Sequence, residues 1–161
     1  MSSEFLSGVE YPHPFDELVV ELCDSAGRHL CIQSPRLDHE VFDSGDLVRA
    51  ISALARRSRQ TEIRILINDS RPLVTRGHRL VALTRRLPTS VRIRKLAEHP
   101  DWNGETVVIR DHDGVLYKPG GADHEGFFEP DSRASTRRHL DLFNDLWRYS
   151  VDDIELRALS M

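Results

Sequence analysis

Ile63-Arg64-Ile65-Leu66-Ile67, closed by Asn68-Asp69-Ser70, is the stretch on which the fold turns. Successive side chains of an extended chain point to opposite faces, so the three isoleucines share one side of a strand. Asn, Asp and Ser end it with side chains that bond their own backbone in turns. On either side of this strand, helical and extended periods alternate. Upstream, Phe15, Leu18, Val19, Leu22, Cys23 and Ala26 recur at helical spacing, with Gly27 just past the end. His29-Leu30-Cys31-Ile32-Gln33 reads as a short strand running into Ser34-Pro35, and residues 35–43 as a loop. Ser44 has the chemistry of an N-cap, with Asp46 in the first turn, and Leu47, Val48, Ile51, Leu54 and Ala55 form the apolar stripe that follows.

Downstream, the spacing predicts one helix from Pro72 to Arg86, with Leu73, Leu80, Val81 and Leu87 on its buried face. Val91 and Ile93 alternate with arginines in a third strand. Thr106–Arg110 and Val115–Tyr117 flank Asp113-Gly114, a hairpin signal. Residues 119–133 read as a loop, and Leu140, Phe143, Leu146 and Trp147 mark a last helix from about Ser135 to Tyr149. Helices alternating with strands predict an α/β fold: a mixed, mainly parallel sheet with helices packed on it. The domain reading is a flexible arm over 1–13, a single domain over 14–150, and a tail over 151–161. Ile154, Leu156 and Leu159 let that tail be a short strand or a loose end.

Composition bounds the class. With 161 residues, 39% hydrophobic and 30% charged, the chain suits one globular domain. No run approaches the roughly 20 apolar residues of a membrane span. The N-terminus has neither the basic nor the apolar region of a secretory signal, so the expected location is the cytoplasm without membrane insertion. Cys23 and Cys31 are read as buried small residues, since a disulfide is rare in a reducing compartment. A net charge of −4 excludes a generally basic nucleic-acid binder. Yet every basic residue except Lys95 and Lys118 is arginine, the side chain that grips phosphate or carboxylate bidentately. Solvated faces of a GC-rich coding sequence read the same way.

Familiar catalytic motifs are missing. His39-Glu40-Val41-Phe42-Asp43 lacks the second histidine that a zinc-protease helix needs, and there is no nucleophile elbow, Walker loop or dinucleotide fingerprint. Asp111-His112-Asp113-Gly114 is explained by its turn. The candidate ligand site is the segment after the central strand: Asp69, Arg71, Arg76, His78 and Arg79 would lie near strand carboxyl ends, where open α/β sheets bind ligands. A solvated helix face with one packed histidine is the competing reading. Trp102 and Asn103, before the hairpin, suit either stacking on a base or core packing.

Glu105-Thr-Val-Val-Ile-Arg-Asp111, then Asp113-Gly-Val-Leu-Tyr117, then Gly120-Gly121 resembles one lobe of the phospholipase D-like superfamily. There a strand carries His-x-Lys-x4-Asp, followed by a hairpin, a Gly-rich turn and a helix. Ile32–Pro35, Ile63–Ile67 and the closing Phe143–Trp147 are similar to the lobe's other elements, so the resemblance spans about residues 15–150. It implies a histidine nucleophile and a phosphate-binding lysine, but the aligned positions hold Gly104 and Thr106, and only Asp111 remains. Asp111 therefore joins the candidate ligand-binding set, and the catalytic set is empty. The resemblance implies a non-catalytic domain that binds a phosphorylated ligand or nucleic acid, or regulates a partner, without cofactor or metal. It further implies a homodimer, and an acetyltransferase partner such as accompanies similar bacterial domains of unassigned function. A hydrolase with a relocated nucleophile (His78, His99 or His112) and a protein-interaction module are the alternatives.

Overall fold

A computed structural model describes residues 4–121 and 125–158. The chain runs β1 (Leu6–Glu10), α1 (Phe15–Asp24), β2 (His29–Gln33), α2 (His39–Phe42), α3 (Gly45–Arg57), β3 (Glu62–Ile67), α4 (Arg71–Arg76), α5 (Arg79–Arg86) and β4 (Val91–Lys95). It continues with β5 (Thr106–Arg110), β6 (Gly114–Lys118), β7 (Glu125–Glu129), α6 (Arg133–Tyr149) and α7 (Ile154–Ala158). The strands form one sheet in the order β1-β7-β6-β5-β2-β3-β4.

This is the mixed α/β architecture that the sequence predicts, with a different balance of pairings. Only β2–β3 and β3–β4 are parallel. The β2–β5, β5–β6, β6–β7 and β7–β1 pairs are antiparallel. Helical crossovers make the first half parallel, and β5, β6 and β7 follow one another without a helix between them.

Side-chain alternation splits the core into two layers. Leu30, Ile32, Ile63, Ile65, Ile67 and Val91 face helices α1 to α5 and meet Phe15, Leu22, Leu47, Ile51 and Leu80. Cys31, Leu66, Val107, Ile109 and Val115 face the other way and meet Phe143, Leu146 and Trp147 of α6. Each such side chain, fully buried, contributes about 1.5–3 kcal/mol. Both cysteines are free and buried. No helix among the described residues is long and apolar enough to cross a membrane.

Six local expectations are corrected. Leu6–Glu10, within the segment read as an arm, is an edge strand on β7. The loops over 35–43 and 119–133 contain α2 and β7. The single helix from Pro72 to Arg86 is two helices, because Gly77 adopts φ +74° and its N–H bonds back to the Leu73 carbonyl, ending α4. His78 is thus the N-cap of α5, not a residue inside a helix. The tail forms the short helix α7 after Val151 bridges to Lys95. Leu159 lies outside the described residues. The Ser44 cap is as expected: its hydroxyl accepts from the Leu47 N–H at 3.1 Å.

Candidate ligand-binding cleft

The parallel strands β2 and β3 end at Gln33 and Ile67, and the chain leaves them through Ser34-Pro35-Arg36 and Asn68-Asp69. These turns, with residues 97–100, Trp102 and Asn103, enclose an open cleft of about 710 Å³. Both Asn68 and Asp69 donate their backbone N–H to the Pro35 carbonyl, which binds the two turns together. The Asn68 side chain donates to the Leu96 carbonyl at 2.8 Å, and the Trp102 indole N–H to the Glu105 carbonyl at 2.9 Å. These bonds hold the walls in place.

The charges at the cleft are unequal in their commitments. Asp69 receives the Arg71 guanidinium bidentately, at 2.9 and 2.8 Å, as well as its backbone N–H. This pairing with Arg71 holds the Asp69 carboxyl down at about 2. Arg36 approaches the same carboxylate only at 4.0 Å, and its side chain is 64% exposed. Arg36 is therefore the cation that the cleft offers to a ligand. His99 lines the cleft with its side chain 14% exposed, its Nδ1 accepting the Asp101 N–H at 3.1 Å.

The other candidate residues do not gather around this point. Arg79 is bound to Asp43 through both its backbone N–H and its guanidinium. Arg76 lines a neighbouring cleft of about 540 Å³ with Tyr11, Asp38, His39 and Arg36. His78 is buried with both ring nitrogens used: Nδ1 accepts the Leu80 N–H at 3.1 Å, which leaves Nε2 to donate to the Leu37 carbonyl at 3.0 Å. Burial pushes its pKa down from 6.5 to about 4. The unfolded chain then takes up a proton that the folded one refuses. This part of the stability is complete above pH 6.5 and is lost as pH falls toward about 4. His78→Asn, which keeps a capping oxygen, should flatten the loss seen in urea unfolding between pH 7 and pH 5.

Asp111 lies at the opposite end of the strands. Its carboxylate accepts the backbone N–H groups of Gly27, Arg28 and His29, each at 2.9 Å. Burial acts to raise its pKa, but these three bonds and neighbouring Arg110 outweigh it and leave the carboxyl below its ordinary value. Asp111 is a clamp between the α1–β2 and β5–β6 turns, far from the cleft.

The positions aligned with the missing histidine and lysine stand beside the cleft. Gly104 has φ +89°, and a Cβ there would sit 3.4 Å from the Gly120 Cα. A Cβ on Gly120 would lie 2.0 Å from the Asn103 carbonyl oxygen. Backbone packs on backbone at this point, which requires glycine. Thr106 is buried and pairs in register with Lys118, whose ammonium donates to the Pro119 carbonyl and lies 4.9 Å from the Tyr11 ring centroid. Arg36 and Lys118 were not among the sequence candidates. Arg36 follows Pro35 in what reads as featureless loop, and Lys118 is linked to Thr106 only through strand register.

Comparison with known proteins places these features in context. Among solved structures, Nuc from Salmonella typhimurium, a phospholipase D family member, is similar over 93% of this chain and 97% of its own, with 16% identity and a TM-score of 0.65. NucT from Helicobacter pylori matches over 93% and 100%, with 14% identity and a TM-score of 0.63. TrmBL2, an archaeal chromatin protein described as showing a novel mode of DNA binding, matches at 11% identity and a TM-score of 0.63; it covers 93% of this chain, which spans 53% of TrmBL2. No curated protein matches the sequence. The model of the family described as Domain of unknown function (DUF7931) matches residues 11–159. The chain belongs to that family, and it carries the phospholipase D-like fold.

Proposed function

We propose that this domain is a non-catalytic binder of a phosphorylated ligand or nucleic-acid strand, which it takes up in the cleft at the carboxyl ends of β2 and β3. The observation that carries the reading is Arg36, an exposed guanidinium at the mouth of the cleft whose nearest carboxylate is already engaged by Arg71. A guanidinium so placed can form a bidentate, charge-assisted contact with phosphate. Gly104 offers no nucleophile, and its φ of +89° disfavours any side chain there, which supports binding without turnover. The likeness in fold to a DNA-binding chromatin protein supports the same direction. In this reading Asp69 and Arg71 shape the rim, Arg76 serves the adjoining cleft, and His78, Arg79 and Asp111 hold the backbone. The reading includes a homodimer, so the solution mass should be twice 18.5 kDa. The acetyltransferase partner rests on the resemblance alone.

Arg36→Ala should weaken binding of a fluorescein-labelled 5′-phosphorylated dinucleotide by about tenfold, with unchanged thermal stability. Unchanged affinity would remove the cleft assignment. A second reading, a phosphodiesterase with a relocated nucleophile, is favoured by His99 in the cleft wall and by Lys118 opposite Thr106. Hydrolysis of a generic phosphodiester, with or without divalent metal, that disappears in His99→Ala would establish it.

A further inference from the structure

Beyond the cleft, one half of a sheet face carries arginines in place of apolar side chains. On the side of the sheet that meets α6, strands β5 and β6 present Val107, Ile109 and Val115 to the helix. On the same side, β3 presents Arg64 and β4 presents Arg92 and Arg94, with Arg64 and Arg92 paired directly in register. The three guanidinium carbons lie 5.6, 5.7 and 5.3 Å from the Trp147 ring centroid, and that of Arg64 is also 5.0 Å from Phe143. Attraction to the ring faces holds each cation. Gathering three like charges around one indole is costly unless anions answer them. The chain answers them in part: the Arg64 Nε lies 3.4 Å from Glu62 and its Nη2 donates to the Cys31 sulfur at 3.4 Å, Arg94 donates to the Ser150 carbonyl at 2.5 Å, and Arg92, which shares a cleft with Asp152 and Asp153, makes no ion pair among the described residues. The buried Nε–H of Arg94 has no hydrogen-bond partner among the described residues.

This patch is continuous with the cleft. Tyr149, 61% exposed at the end of α6, packs its ring 5.5 Å from that of His99 in the cleft wall. The next residue, Ser150, is the one that receives Arg94. An exposed aromatic thus stands between the cleft and the arginines.

We propose that this face is a track for the backbone of one nucleic-acid strand, which leaves the cleft over Tyr149 and runs past the partly buried Arg94 to the exposed Arg92, with Arg64 packed behind them against Phe143 and Trp147. A basic surface with an exposed ring is how proteins hold single strands without reading sequence: the cations follow the phosphates and a base stacks on the ring. Arg92 and Arg94, two residues apart on one strand, are spaced by about 6.6 Å. An acidic peptide would use the arginines but would have no need of Tyr149. The track rests on the reading of the cleft above, and the test separates the two.

Binding of fluorescein-labelled single-stranded DNA of about 16 nucleotides is followed by anisotropy across a salt series, with the intact chain. Arg92→Ala and Tyr149→Ala, both at exposed positions outside the cleft, should each weaken binding by about fivefold or more. Arg92→Ala should also reduce the slope of log affinity against log salt by about 0.7. If Arg36→Ala weakens binding while Arg92→Ala/Tyr149→Ala does not, the cleft reading stands and the track is wrong. Equal binding of polyglutamate, lost in Arg92→Ala, would overturn the nucleic-acid assignment. A halved solution mass in Arg92→Glu with unchanged DNA affinity would show the face to be an interface between copies, and would overturn it as well.

Discussion

Asp111→Ala should lower the unfolding free energy by about 2–3 kcal/mol, measured by urea denaturation at pH 7. The substitution removes one carboxylate but strips three backbone N–H groups of their acceptor, in a turn that joins residues more than 80 positions apart. Hydrogen bonds to a charged group are the stronger kind, and N–H groups near the surface recover part of the loss from water. Asp111→Asn should cost less, about 1 kcal/mol, because one side-chain oxygen remains and asparagine tolerates the positive φ of this position. The pH dependence has a definite sign. The carboxyl titrates lower in the folded chain than in the unfolded one, so its contribution is complete above the unfolded carboxylate pKa of about 3.9 and is lost as pH falls through the folded value. The stability difference between wild type and Asp111→Ala should therefore shrink in acid. Asp111 thus acts as a clamp that holds two turns of the fold together.

Gly120→Ala should be at least as damaging, with a loss of about 3 kcal/mol or more and a melting temperature lower by several degrees. Its Cβ would overlap the Asn103 carbonyl oxygen at 2.0 Å, a backbone atom that cannot rotate away as a side chain could. Relief requires the Asn103–Gly104 segment to move, and that segment carries one wall of the cleft. Binding should fall together with stability. Gly121→Ala, by contrast, meets nothing within 4 Å, and its cost comes only from a φ of +74°, about 1 kcal/mol. For the same reason Gly104→His should not confer hydrolysis, since the side chain would start from strained backbone at a φ of +89°.

Much of the fold was legible because strong periodicity coincides with burial on one face. Ile63, Ile65 and Ile67 alternate in sequence and are all fully buried in one layer. Ser44 and Asp113-Gly114 announced a cap and a turn through chemistry that has few other uses. The misreadings have physical causes. Leu6–Glu10 is a mostly exposed edge strand, and an edge need not alternate clearly. Gly126 lies in β7 where its missing side chain lets the Tyr117 carbonyl approach, so a glycine that looked like loop is required by strand packing. Gly77 breaks a helix whose apolar spacing continues across the break through Leu73 and Leu80. The candidate site was read at the carboxyl end of β3, where an open cleft lies, but charge alone does not say which arginine is free. Arg71 and Arg79 are occupied by Asp69 and Asp43, and only the folded chain shows that Arg36 is not. Asp111, drawn into the set through the motif, stands at the far end of the strands, because a seven-residue spacing along β5 separates the ends of the sheet.

The central claim is binding without turnover, and one titration tests it directly. A single-stranded oligonucleotide labelled at both ends is mixed with the full-length chain, its anisotropy is read at low and high salt, and the recovered strand is sized on a denaturing gel. Saturable, salt-sensitive binding that Arg36→Ala weakens, with the strand recovered intact in the presence and absence of divalent metal, is the result predicted. A cleaved strand would contradict the account by showing turnover, and no binding at low salt would contradict it by leaving the cleft without a nucleic-acid ligand.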